Sequence, residues 1–145
     1  MVLPGIQALF GFQLIAAFNQ RFMELDAADR VVHLVSLVLI ALAIVLIMTP
    51  AAYHRIVEPG RTSTFFNRLA SALLAVAMVP LLMSISLDIY VVTRLAVPDA
   101  DPWLGIVMSL ATFTLYVSLW MVFPYWQRSH PHRRMTVGQL RRWFP

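Results

Sequence analysis

The stretch Leu37-Val38-Leu39-Ile40-Ala41-Leu42 decides the fold. It contains no polar residue and no apolar–polar alternation. A strand of a membrane barrel would alternate over about ten residues, so a barrel is excluded. The stretch lies inside a longer run from about Val31 to Tyr53, whose segment Leu34 to Ala52 carries no charge. A helix rising 1.5 Å per residue needs about 20 mostly apolar residues to cross about 30 Å of hydrocarbon. Three further stretches are read the same way: residues 3–19, 69–92 and 103–126. The first is short and holds Gln7 and Gln13. All are apolar on every face, which marks spans and not amphipathic surface helices. The reading is all-α, a bundle of four transmembrane helices over residues 1–126, followed by a basic tail, 127–145.

Composition agrees. Of 145 residues, 60% are hydrophobic and 12% are charged, against about 25% charged in soluble domains. Mean hydropathy is +0.75. A water-soluble globule and a disordered chain are both excluded. With no cysteine there is no disulfide framework, thiolate metal site or thiol redox relay. A signal peptide is discounted for the first run, because no basic segment opens it and no small-x-small site precedes Arg21.

Charge sets the orientation. Arg55, Arg61 and Arg68 flank the second loop, and Arg128, Arg133, Arg134, Arg141 and Arg142 lie in the tail. The positive-inside rule puts both on the cytoplasmic side, so both termini are inside. Basic residues beside a span meet anionic lipid, so membrane lipids are the expected partners and nucleic acid is not. Glu58-Pro59-Gly60 and Val97 to Pro102 read as turns. Asp101-Pro102 reads as an N-cap followed by proline at the first helical position, and Asp26 as a cap of the second helix. Pro50 should bend or end that helix. Thr136 to Phe144 form either a short interfacial helix or a disordered tail.

Polar groups within lipid are costly, so each needs a reason. Asp88 is the one carboxylate within a span. Ala70, Ala77, Ser84 and Asp88 share one helix face, which should turn inward. Asp88 is then either an ion or proton site or an interfacial strut paired with Arg94, Arg21 or His33. His33, at the outer start of the second span, is either a pH switch or a hydrogen-bonded interfacial group. His54 and Arg55, at the inner end, meet lipid phosphate or contact Asn67 and Arg68; a gate or ligand site is the sharper reading. Gln7 and Gln13 give the first span two polar stripes. Such amides bond between helices for roughly 0.6–2 kcal/mol each, or line a path. Gly105, Ser109, Thr112 and Tyr116 form a close-packing face on the fourth span, within the chain or between subunits, in preference to a hydroxyl-lined conduit. Pro80 frees a backbone carbonyl near mid-membrane. Tyr90, Trp103, Trp120, Tyr125 and Trp126 make an aromatic belt.

Absent chemistry narrows the field. There is no phosphate-binding glycine loop and no His-x-x-x-His pair. His130 and His132 lack a third ligand, so no metal site is assigned. One histidine per span does not define a haem or chlorin pocket, and the cofactor stays unknown.

Leu3-Pro4-Gly5-Ile6-Gln7-Ala8-Leu9-Phe10-Gly11-Phe12-Gln13, Phe18-Asn19-Gln20-Arg21-Phe22 and Thr49-Pro50-Ala51-Ala52-Tyr53-His54-Arg55 together resemble an uncharacterised family of small bacterial four-helix membrane proteins. The resemblance covers the first three spans; the fourth and the tail match in general character only. It implies the fold and a multi-pass place in the bacterial inner membrane, and no activity. Family members usually carry a short polar segment before the first span. Its absence implies that Met1 is a late start or an internal position. Other small four-helix proteins fit less well. Thiol-oxidising quinone reductases need cysteine. Small multidrug antiporters need a first-span glutamate. Glutathione-handling enzymes need charges in the second span.

Three functions compete. The first is an ion channel or transporter built as a homo-oligomer, with Gln7, Gln13, Ser84 and Asp88 along its polar path. The second is an accessory or scaffold subunit of a larger membrane complex. The third, and least supported, is an enzyme acting on lipid or quinone through His54 and Arg55. The first is preferred, and the chain is read as not an enzyme.

Overall fold

The architecture is that of a computed structural model, which describes residues 3–57, 59–60 and 63–129. His130, His132, the 136–144 segment, Glu58 and Arg61 lie outside the described residues. Every regular element among the described residues is helical. Helix α1 is Leu3–Ala17 and leads into a 3-10 turn, Gln20–Glu24. Helix α2 is Ala27–Val57 and α3 is Thr64–Ala96. Helix α4, Pro102–Val117, passes through a π-helical turn at Ser118–Val122 into α5, Phe123–Ser129.

Three of these runs are long and apolar enough to cross a membrane: α2, α3 and the continuous stretch Pro102–Ser129. Helix α1 is not. Its 15 residues rise only about 22 Å, short of the roughly 30 Å of hydrocarbon. The chain turns at Phe18 and Asn19, whose backbone N–H groups bond back to Ile15 and Ala16. The Asn19 side chain then caps the 3-10 turn by accepting from Arg21 N at 3.1 Å.

Local chemistry explains the boundaries. Asp101 accepts from Trp103 N at 3.0 Å with Pro102 at the first helical position, as the sequence indicates. Ser63 caps α3 by accepting from Phe66 N at 3.0 Å, a cap the sequence reading missed. Asp26 precedes α2, where its backbone oxygen accepts from Arg30 N. Between α2 and α3, Gly60 adopts φ +78°, a left-handed conformation that glycine takes without penalty. Pro50 does not end α2, which continues to Val57. Proline removes one donor, that owed to the Leu46 carbonyl, and its fixed φ is helical.

Helices α2 and α3 pack along their lengths; α4 lies on α3 and α1 lies on α2. The α2 stripe that turns inward is Asp29, His33, Ser36, Ile40, Ala43 and Pro50. Ile40 and Ala43 meet Ile6 of α1 and Leu81 of α3 in the main apolar cluster. A second cluster joins Phe22, Leu25 and Val91. The other faces carry exposed apolar side chains, among them Val38, Val45, Val107 and Leu115. The most apolar part of Pro102–Ser129 has no fully buried residue within the chain. Burying that surface would require a lipid phase or partners.

Candidate functional site

Three helices bring five polar side chains to one place. Gln13 comes from α1, His33 and Ser36 from α2, and Ser84 and Asp88 from α3. Each lies on the inward stripe of its helix. Gln13 stands seven residues after Ile6, His33 and Ser36 share a turn, and Ser84 and Asp88 are four apart. Residues so spaced share a face, so the apolar neighbours that bury Ile40 and Leu81 also bury these groups. Ser36 and Ser84 are fully buried, and Gln13 and His33 nearly so.

The hydrogens in the cluster can be counted. Ser84 Oγ lies 2.9 Å from the Ser36 carbonyl and donates to it. Gln13 Nε2 donates to Ser84 Oγ at 3.3 Å and to Asp88 Oδ2. His33 Nε2 lies 3.0 Å from the Gln13 carbonyl. A carbonyl only accepts, so Nε2 carries a hydrogen. His33 Nδ1 lies 3.7 Å from Asp88 Oδ1. Ser36 Oγ lies 2.5 Å from Asp88 Oδ1 and 2.9 Å from the His33 carbonyl, and has one hydrogen for the two.

Ser36 can donate to an ionised Asp88 or, by rotating its hydroxyl, to the His33 carbonyl while accepting from a protonated Asp88. The Phe22 ring meets His33 edge-on, with centroids 5.0 Å apart, and fixes the imidazole plane. Gln13 Oε1 is buried and has no hydrogen-bond partner among the described residues.

The cluster borders a cleft of about 260 Å³ between α1 and α3, whose lining residues include Gln13, His33 and Asp88 with Leu9, Phe12, Val92 and Leu95 and whose open surface is almost wholly apolar.

A second carboxylate lies close by. Asp29 is buried at the start of α2, four residues before His33. It accepts from Tyr90 Oη at 2.8 Å and from Arg94 Nε at 3.2 Å. Arg94 reaches on to the Ala100 carbonyl at 3.5 Å and lies 3.9 Å from Asp26. The ring of Tyr90 packs on Gly105, where an added Cβ would stand 2.9 Å from Tyr90 Cδ2. This group ties α2, α3, the α3–α4 loop and α4 together.

The sequence-derived candidates separate accordingly. Gln13, Ser84, Asp88 and His33 converge. Gln7 does not: it is exposed on α1, because the inward positions of that helix are Ile6 and Gln13. Of the three partners proposed for Asp88, His33 is beside it, Arg94 is taken by Asp29, and Arg21 is exposed. His54 and Arg55 lie 21 and 22 residues beyond His33, roughly 30 Å along α2. His54 packs on Phe66 at 5.0 Å, next to Tyr53, and its Nδ1 is buried without a hydrogen-bond partner among the described residues. Arg55 is exposed. The Gly105 face is a packing face, as the sequence indicates, and its Gly105 end packs on Tyr90 of α3 in the same chain. Ser36, Asp29 and Tyr90 were missed. The signal existed for two of them, since Asp29, His33 and Ser36 are polar positions at spacings of four and three leading into an apolar helix. Among the described residues no three His, Asp or Glu side chains converge as metal ligands would.

Fold and surface define a class: an all-helical protein with three helices of membrane-spanning length and composition. More particularly, the chain belongs to a family of unknown function (DUF6328), which matches residues 1–124. The match extends past the three runs that carry the resemblance and covers most of the fourth. No curated protein and no solved structure matches the chain.

Proposed function

We propose that the chain is a small proton-linked transporter or channel of the bacterial inner membrane. One observation carries this reading: an acid and a base, Asp88 and His33, face each other inside a polar network spanning three helices, beside a cleft. Ionisable groups within a span that face one another mark ion pathways and proton relays.

In this reading α1 is a fourth span, completed by the chain around it, and both termini are cytoplasmic. The arginines at the α2–α3 loop and beyond α5 support that orientation. Asp88 and His33 then lie near the outer face. In this reading the working unit is a homo-oligomer, with lipid against the remaining apolar faces.

A second reading, an accessory subunit, is favoured by the unburied length of Pro102–Ser129 and its π-helical turn. Such turns recur at functional sites.

Proteoliposomes loaded with a pH-sensitive dye test the first reading. Wild-type protein should relax an imposed pH gradient under a potassium–valinomycin potential, and Asp88→Asn of equal helicity and assembly size should not. Equal flux from both sinks the reading. Flux from neither, with a fixed-ratio partner recovered in mild detergent, favours the second.

A further inference from the structure

The acid–base pair lies between two apolar layers. On one side stand Ile6, Ile40, Ala43 and Leu81. Ile40 is four residues past Ser36 and Leu81 three before Ser84, so this layer sits about one turn from the polar groups. On the other side, toward the α1–α2 connection, stand Phe22, Leu25 and Val91. Val91 is three residues past Asp88, again about one turn away. Beyond this second layer the chain is polar. Arg21, Glu24 and Asp26 are exposed, and Asp29 is held by Arg94. His33, between the layers, is only 3% exposed. The cleft offers water no way round. Its open surface is almost wholly apolar, and an apolar space gives water no partners and stays dry.

The two layers differ in build. The first draws on α1, α2 and α3 and is backed by Ile44, Ile47 and Ile85. The second depends on one ring carried outside any long helix. Phe22 is the one buried residue of the turn Gln20–Glu24. Its ring stands edge-on to His33 at 5.0 Å. The turn is held by the Asn19 side chain and by backbone bonds from Phe22 N to Asn19 O and from Leu25 N to Phe22 O. A 3-10 turn has poorer hydrogen-bond geometry than an α-helix. Local opening costs least where few backbone bonds hold a segment.

We infer that Phe22 is a gate residue: its ring, carried on the Gln20–Glu24 turn, closes the path from the polar end of the bundle to His33 and Asp88, and opens it when the turn swings away. This deepens the transport reading and rests on it for the claim that a proton uses the path. A site open to both ends at once would leak, so the thicker layer stays shut while the thinner one opens.

Exchange of the His33 Nε2 hydrogen with water tests it, on the full chain in mild detergent, by magnetic resonance with isotope-labelled histidine. His33→Gln assigns the signal. This hydrogen, held by the Gln13 carbonyl, should exchange slowly in wild type, since it meets water only when the gate opens. Phe22→Ala should speed its exchange by about tenfold or more, because the shield is then gone in every molecule. Leu25→Ala, which thins the same layer away from the ring, should speed it by less than about threefold. Phe22→Leu should fall between wild type and Phe22→Ala, and it keeps the test valid should the alanine variant fail to fold. Fast exchange in wild type, unchanged exchange in the Phe22 variants, or an equal rise in Leu25→Ala overturns the inference. Proton flux in liposomes with no gain in exchange from the Phe22 variants leaves the transport reading standing and removes this one. The expected exchange pattern without flux does the reverse.

Discussion

Two aspartates in this bundle, Asp29 and Asp88, are both largely shielded from solvent, lie close together and are held in different ways. Asp29 has a permanent cation and a phenol on its two oxygens, from Arg94 and Tyr90. Asp88 has an amide, a hydroxyl and a histidine, and no permanent cation. A carboxylate bound to guanidinium has one stable charge state, since arginine does not give up its proton. A carboxylate facing imidazole has two within reach, since histidine does. The contacts of Asp29 are those of a strut, and the proposed proton exchange is assigned to Asp88. The geometry beyond each repeats the contrast. Tyr90 is backed by Gly105 with no space to spare, whereas Asp88 opens on a cleft.

The sharpest way to break this comparison is to neutralise each carboxylate without changing its shape. Asp88→Asn should cut proton flux by about 100-fold or more, the scale of a lost acid–base group. Asp29→Asn should leave flux per folded molecule nearly unchanged and lower the melting midpoint instead. Dye-based flux and thermal melts on both variants check it, and a reversed pattern would exchange the two roles.

The next largest effect is on stability. Asp29→Ala should lower the thermal midpoint by at least twice the fall caused by Tyr90→Phe, because it unpairs Tyr90 and Arg94 together. Tyr90→Phe removes one hydroxyl contact, worth about 1 kcal/mol. Circular dichroism melts in one detergent give both values.

Gly105→Ala sharpens the strut side. Alanine favours a helix over glycine by about 1 kcal/mol, but overpacking costs about 1–3 kcal/mol. The Tyr90 ring cannot swing aside, since its hydroxyl is held by Asp29. Net destabilisation is expected, and Tyr90→Ala in the same chain should relieve it. A stabilised single variant would show that the ring moves freely.

The smallest effect is expected on α1. A Cβ at Gly5 or Gly11 meets nothing within 4 Å, so alanine at either should be neutral or stabilise by up to about 1 kcal/mol. A loss of assembly size on a calibrated column, with the monomer fold intact, would identify that face as an interface between copies.

Much of this was legible in the residues. The uncharged segment from Leu34 to Ala52 and the run after Leu69 dictate helices. Asp101-Pro102 dictates where α4 begins. The spacing of Ala77, Ser84 and Asp88 dictates that they share a face. Each follows from properties local to one helix: hydrophobicity, helical period and capping chemistry. The length of α1 was less legible, because its end is set by how Phe18 and Asn19 fold back onto Ile15 and Ala16.

Partnership was settled only between helices. In the sequence Arg94, Arg21 and His33 are equal candidates for Asp88, and Gln7 and Gln13 are equal candidates for the interior. Which glutamine turns inward depends on how α1 rotates against α2, where Ile6 finds Ile40 and Ala43. That rotation brings Gln13 to Asp88 and leaves Gln7 outside. Arg94 goes to Asp29 because the end of α3 packs beside the start of α2, a relation between residues 65 positions apart. The sequence determined which residues are polar and on which stripe, since a helix repeats every 3.6 residues wherever it lies. Tertiary packing decided which stripes meet, and with that which aspartate meets an arginine and which a histidine.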